Sequence, residues 1–537
     1  MGFVARGSLL AIALSALAGC GGGDGGGRVA SGNYTQGVFP ASSGLADQCA
    51  APRAGTDDRS GTTFAENMFL RSWTNEYYLW YREVPDRNPT GFSTEDYFLD
   101  VLKTAQTTNS GRAKDQFHFT YPTDVWEDLS RSGIELGYGA QWMLVARTPP
   151  RRVVVAFVEP GTPATAASAN LTRGVEVLFA DGVDVVNANT QAAVDTLNEA
   201  MFPSIAGRAH TFRVRELSGT IRDVTMTPLA VTLDPVPTVS VIDQSGVPVG
   251  YLLFNDHIAT AEQGLIDAVN TLRAANIQDL VLDLRYNGGG FLDIASELAY
   301  MIAGSVPTAG QTFERLAFSD KYPSTNPVTN QPLTPTPFHT TTQGIGVARG
   351  TVLPTLNLNR VYVITGSNTC SASESIINGL RGVGVQVYQI GSTTCGKPYG
   401  FYPYSNCGTT YFSIQFQGFN AQGFGDYADG FTPQNASGTG TARVNGCSVG
   451  DDFTRELGDT TERRLQVALA YRASNNQVCP AASGTAPGMQ LKAGQQVDDG
   501  ALIRSPMREN RVLLDEPFTA PGSTTQRVRM LNAPQTL

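Results

Sequence analysis

Two short runs and a glycine-rich turn carry the residue types that could break an acyl bond. Ser371-Ala372-Ser373-Glu374 opens on a serine and Gly396-Lys397-Pro398 carries a lysine, while Asp283-Leu284-Arg285-Tyr286-Asn287-Gly288-Gly289-Gly290 precedes both. A serine at a helix start, N–H groups in a tight turn and a lysine can supply nucleophile, oxyanion site and base without histidine. Ser-x-x-Glu before an apolar run is also a capping box, so Ser371 taken alone is a helix N-cap. Its surroundings favour chemistry. The strand-like Val361-Tyr362-Val363-Ile364 delivers Ser371 to a strand-to-helix turn, and helix N-termini stabilise developing negative charge. Lys397 follows at the end of the next strand, where the chain can return beside it. A lysine serves as base only when neutral, which an apolar surrounding promotes. Pro398, Tyr399 and Phe401, with Gly396 and Gly400, give that setting.

Competing motifs fail on chemistry. Gly391 to Lys397 has the spacing of a phosphate-binding loop, but Pro398 stands where the magnesium-binding hydroxyl must be. Gly446-Cys447-Ser448-Val449-Gly450 fits a nucleophile elbow, yet no apolar strand precedes it. His118, His210, His257 and His339 all lie before it, so its acid-then-histidine order cannot be met. No histidine cluster or Cys-x-x-Cys pair offers a metal site, and no cofactor is expected.

The elements that must position these residues come in blocks. Residues 61–130 read as a helical domain, with Phe64, Met68, Leu70, Trp73, Tyr77 and Trp80 at roughly helical spacing, an aromatic stripe that reads as core. Residues 131–234 turn to short β-rich runs around a helix from Ala192 to Met201. From 235 to 480 strands and helices alternate, the sign of an α/β domain with parallel pairing. Within it, Pro307 to Leu356 lacks periodicity and reads as an insertion. Residues 481–537 form an extension that the pattern does not place.

The N-terminus sets the compartment. Arg6 and the short apolar run Ser8 to Leu17 are too brief for a membrane-spanning helix. Leu17-Ala18-Gly19-Cys20 resembles the lipobox of bacterial lipoprotein signal peptides, which implies cleavage before Cys20, lipidation of that cysteine and a signal peptide over 1–19. An ordinary secretory signal is the alternative. Residues 20–60, beginning with a glycine run, read as a flexible linker. The other six cysteines, Cys49, Cys370, Cys395, Cys407, Cys447 and Cys479, suit disulfides in an oxidising compartment. Sequence allows about 15 pairings; chain order suggests Cys370 with Cys395, Cys407 with Cys447, and Cys49 with Cys479. A net charge of −10 without a basic run argues against nucleic acid.

In the order and near the spacing of Asp-Leu-Arg-x-Asn-Gly-Gly-Gly, Ser-Ala-Ser-Glu and Gly-Lys, residues 64 to 480 resemble the C-terminal processing peptidases, or tail-specific proteases. The resemblance implies an α/β (α+β multidomain) chain: an N-terminal helical region, a PDZ domain at 131–234 and a ClpP/crotonase-like α/β protease domain. It implies Ser371 as nucleophile, with Ser373 its rival, and Lys397 as general base. The N–H groups of Gly289 and Ala372 would form the oxyanion hole, with Gly288 a substitute. Gly137-Tyr138-Gly139-Ala140 would be the peptide-capturing loop, beside an edge that binds by strand addition; a PDZ-like spacer that binds nothing is the alternative. Substrates would be proteins or peptides with unstructured C-termini, in a bacterial cell envelope, the enzyme lipid-anchored on the outer membrane facing the periplasm, or free in the periplasm. Phe401 departs from the family, which often places a lysine-orienting glutamine there. That departure keeps a catalytically silent PDZ/protease-fold binding protein as the second reading. If Cys370 and Cys395 pair, they staple the nucleophile and base segments together.

Overall fold

The computed structural model describes residues 33–436, 442–480 and 499–503. The expected signal peptide and Cys20, the glycine tether and most of the extension over 481–537 lie outside them. Among the described residues no helix is long and apolar enough to cross a membrane.

The aromatic stripe forms a helix, α1 (Thr63–Tyr77), started by Thr62, whose hydroxyl accepts the Ala65 N–H. Met68, Phe69, Leu70 and Trp73 of α1 bury against Tyr97, Phe98 and, from the far end of the chain, Tyr411. The stripe is core. The linker expected over 20–60 is corrected where it is described. Leu45, Ala46 and Cys49 are buried, and Cys49 is bonded to Cys407. That covalent tie and the packing of Leu45 against α1 order the segment.

The β-rich block folds as one sheet with a helix laid on it. Its strands β1 (Ala140–Ala146), β2 (Arg152–Val158), β3 (Glu176–Ala180), β4 (His210–Arg215) and β5 (Ile221–Met226) run in the order β5-β4-β3-β2-β1. The helix α2 (Gln191–Met201) contributes Val194, Leu197 and Met201 to the core beneath.

The α/β block is built on six strands: β6 (Thr238–Gln244), β7 (Val247–Leu253), β8 (Asp279–Asp283), β10 (Arg360–Thr365), β11 (Gln386–Gly391) and β14 (Gly446–Ser448). β6 and β7 form a hairpin whose turn, Ser245-Gly246, has both residues at positive φ, as a two-residue primed turn requires. The remaining neighbours pair in parallel in the order β7-β8-β10-β11-β14. β8 reads Asp-Leu-Val-Leu-Asp and is buried throughout, as expected of a parallel strand covered on both faces. Helices α3 (Ala261–Ala274), α4 (Leu292–Ala303) and α5 (Ala372–Gly382) cover one face, and α6 (Arg463–Ala473) packs on the other.

The segment 307–356 is more than an insertion. It supplies β9 (Thr312–Phe318), which pairs with β13 (Phe416–Phe419), itself paired with β12 (Tyr399–Gly400). The tail also has a place: β15 (Ala501–Ile503) adds antiparallel to the edge strand β1, and Asp499 is buried against Arg464.

All six of these cysteines are paired. Cys370–Cys395 is bonded, 25 residues apart. The other two expected pairs are corrected to Cys49–Cys407 and Cys447–Cys479. The physical reason is that Cys447, in the middle of β14, lies beside the chain leaving α6, whereas Cys407 reaches the N-terminal segment.

Candidate active site

Three loops leave the carboxyl ends of the adjacent parallel strands β8, β10 and β11, the usual ligand side of such a sheet. They carry the glycine turn, Ser371 and Lys397, and all three line one cleft of about 400 Å³.

Ser371 is the residue before α5, with φ 55° and ψ −119°. A non-glycine residue in that region is strained, at a typical ~1–3 kcal/mol. Three fasteners hold it. Its N–H donates to Glu374 Oε2 at 3.0 Å, the N–H of Cys370 donates to the Asn287 carbonyl at 3.1 Å, and Cys370 is bonded to Cys395. Ser373 is fully buried and its hydroxyl donates to the Asn287 carbonyl at 3.1 Å. Of the two serines, Ser371 lines the cleft and Ser373 does not.

Glu374 was legible only as a cap, but it does more. One carboxylate oxygen accepts the N–H groups of Ser371 at 3.0 Å and Lys397 at 2.8 Å. The other accepts the Gly396 N–H at 2.9 Å and the Thr394 hydroxyl. A single side chain therefore fixes the serine and lysine segments to each other. Burial raises its carboxyl above the ordinary carboxylate range, and the four donors pull the other way.

Lys397 is 2% exposed. Its Nζ lies 4.3 Å from the ring centroid of Phe401 and 5.1 Å from that of Phe117. Phe401 thus faces the amine with a ring. Phe117 shows that the N-terminal domain helps build the lysine's seat, and Arg112 donates to the Cys395 carbonyl at 3.0 Å.

The glycine turn is organised by Asn287. Its Oδ1 accepts the Gly289 N–H at 3.0 Å and a hydrogen bond from His257 Nδ1 at 2.9 Å. Burial pushes His257 down to about 4, so the ring stays neutral and Nδ1–H is the donor. Gly289 presses on the nucleophile loop: a Cβ there would meet the Cys370 carbonyl and Ser371 Cβ at 2.8 Å. The Gly289 N–H is thus engaged, whereas Gly288 and Ala372 have N–H groups with no acceptor among the described residues. Asn287 stood in the glycine-rich motif without a role assigned to it, and His257 was missed because no local pattern marks it.

The rest of the motif is structural. Arg285 is fully buried and bonds Asp283, Asp451 and Glu462. Tyr286 and Asp451 receive Arg173 from the β-rich block at 2.6 and 2.7 Å, tying that block to the glycine turn.

Gly137, Tyr138, Gly139 and Ala140 sit apart from the cleft, at the start of β1. The Tyr138 ring is core, its hydroxyl donating to the Ala200 carbonyl at 2.8 Å. The edge of β1 beside them carries β15 of the same chain. Leu502 of that strand lines the cleft.

Residues 248–405 match peptidase family S41, and residues 65–121 match the peptidase S41 N-terminal domain. A carboxyl-terminal-processing protease of Picosynechococcus sp. is 26% identical over 270 residues, covering 50% of this chain and 56% of the relative. Carboxyl-terminal-processing peptidase 2, chloroplastic, of Arabidopsis thaliana is 25% identical over 260 residues, covering 44% of this chain and 48% of the relative. The chain spans about half the length of these relatives. A solved structure assigned to the S41 proteases, from Bacteroides fragilis, superposes with a TM-score of 0.56 at 23% identity, covering 76% of this chain and 98% of that one, a likeness of fold.

Proposed function

The chain belongs to peptidase family S41, and on that premise we propose that it is an exported serine endopeptidase of the C-terminal processing type. It would act on protein or peptide C-terminal segments in the cell envelope, anchored through a lipid on Cys20. One observation carries the reading: the Glu374 carboxylate hydrogen-bonds the backbone of both Ser371 and Lys397 at the rim of one cleft.

In this reading Lys397, neutral, takes the proton of Ser371 Oγ as that oxygen attacks the scissile carbonyl. The oxyanion is met by N–H groups at the start of α5 and in the glycine turn, those of Ala372 and Gly288, with Gly289 next to them. Lys397 then gives the proton to the departing amine, and water, deprotonated by the again neutral Lys397, attacks the acyl-enzyme and releases the acyl group, the proton returning to Ser371 Oγ. The β-rich block would serve as the PDZ domain that captures substrate tails.

Ser371→Ala and Lys397→Ala should each abolish cleavage of an unfolded polypeptide while circular dichroism stays native. A fully active Ser371→Ala protein would refute the assignment. The ring of Phe401 beside Lys397 favours a second reading, a silent protease-fold binder. A fluorophosphonate probe separates the two: labelling that needs Ser371 supports the enzyme, and no labelling supports the binder.

A further inference from the structure

The cleft has one buried acid that neither the nucleophile nor the base uses. Glu314, on β9, is 5% exposed and lines the cleft with Ser371 and Lys397. Its neighbour is Ser375, whose hydroxyl donates to Glu314 Oε1 at 3.2 Å. Among the described residues Glu314 has no basic partner.

The seat is built for this carboxyl. A side chain on Gly418 of the paired strand β13 would overlap Glu314 Oε1, so only glycine leaves the acid its place. Leu316 and Phe416 line the cleft beside it. Ser371 and Ser375 are four residues apart and both face the cleft, so the acid lies about one helical turn, ~5–6 Å, along α5 from the nucleophile, near the reach of a long side chain. The charge around it points the same way: Asp256 and Asp293 also line the cleft, against Lys397 as its only lysine or arginine among the described residues.

Resting on the peptidase reading above, we propose that Glu314 is the acidic end of a substrate subsite beside Ser371 and that it selects polypeptides carrying lysine or arginine next to the scissile bond. A buried acid held by one hydroxyl and no cation gains most from a side chain that brings both a positive charge and N–H donors. Burial pushes Glu314 up to about 7, so near neutral pH only about half of it is ionised when alone, and an arriving ammonium or guanidinium would draw it to its charged form. Apolar side chains would cover the acid without satisfying it.

The test uses the full chain and a library of unstructured peptides, with cleavage sites read by mass spectrometry. Lysine and arginine should be enriched about tenfold or more at one position within two residues of the cleaved bond, the worth of one charge-assisted hydrogen bond. In Glu314→Gln the ratio of kcat/KM for lysine over norleucine at that position should collapse toward one. Should that variant fail to fold, Gly418→Ala, which displaces the carboxyl, should shift the ratio in the same direction. A wild-type preference for apolar residues at every position, or an enrichment that survives Glu314→Gln, overturns the proposal. A wild-type protein that cleaves nothing and takes no fluorophosphonate at Ser371 overturns the peptidase reading itself, a distinct outcome.

Discussion

Replacing Glu374 by glutamine removes the charge from the one side chain that holds the serine and lysine segments together, and its cost follows from the four donors. Ser371 N–H and Lys397 N–H share one oxygen, and Gly396 N–H and the Thr394 hydroxyl share the other. An amide nitrogen cannot accept, so it must face one of these two pairs. The cheaper choice is the second, because the Thr394 hydroxyl, which already accepts the Phe431 N–H, has a second lone pair for the amide, leaving the Gly396 N–H as the stranded backbone donor. One stranded buried N–H costs about 1–3 kcal/mol. Burial disfavours the charged carboxylate, so its removal offsets part of that loss. Glu374→Ala instead strands three backbone N–H groups, at about 3–9 kcal/mol. The effect on rate should be larger than the effect of Gln on stability, since a drift of about 1 Å between reacting groups can cost ~100-fold. Turnover of a peptide substrate, fluorophosphonate labelling rate and denaturant unfolding would be measured together. Glu374→Gln should lose roughly 100-fold in kcat with a smaller change in KM. A Glu374→Gln protein with turnover within a factor of about two of wild type would refute this account of the site, because the geometry would then not depend on the carboxylate.

The double substitution Cys370→Ala with Cys395→Ala opens a loop of 25 residues, worth roughly 3 kcal/mol in chain entropy, and should lower turnover by a larger factor than that loss implies; unchanged kcat would count against a positional role. Glu314 makes stability depend on pH: its folded value of about 7 lies above the ordinary 4.5, so its contribution is complete below about 4.5 and is lost as pH rises through 7. Wild type should therefore lose about 3 kcal/mol relative to Glu314→Gln between pH 4.5 and 9 in urea unfolding, and parallel curves would show the acid to be better solvated than its burial implies.

The residues expected to do chemistry were readable because their signature is local. A buried strand, a small turn and a helix start lie within a dozen residues of Ser371, and the same holds for the strand before Lys397. What escaped reading depends on contacts between distant segments. Glu374 looks like any capping glutamate, and its further partners begin 20 residues downstream at Thr394. Glu314 lies in a stretch without periodicity, and β9 gains its place by pairing with Thr336–Pro337 on one side and Phe416–Phe419 on the other. The disulfides of Cys49 and Cys479 could not be ordered by chain position, because Cys49 pairs across 358 residues. The tail strand is too short to announce itself, and its edge belongs to a sheet whose other strands lie between residues 140 and 226.

These distant contacts converge on the conformation of one residue. Ser371 at φ 55° would relax toward an ordinary helix cap if its neighbours let it. The Asn287 carbonyl holds the residue before it, Glu374 holds its own N–H, and Cys395 ties Cys370 to the lysine loop. Asn287 also positions Gly289 and His257, so the same side chain and carbonyl set the glycine turn against the serine. Strain in the nucleophile loop and order in the glycine turn are thus two results of one set of hydrogen bonds. Loosening any of the three ties should let Ser371 relax, and the serine would then remain in the cleft as a cap rather than as a nucleophile.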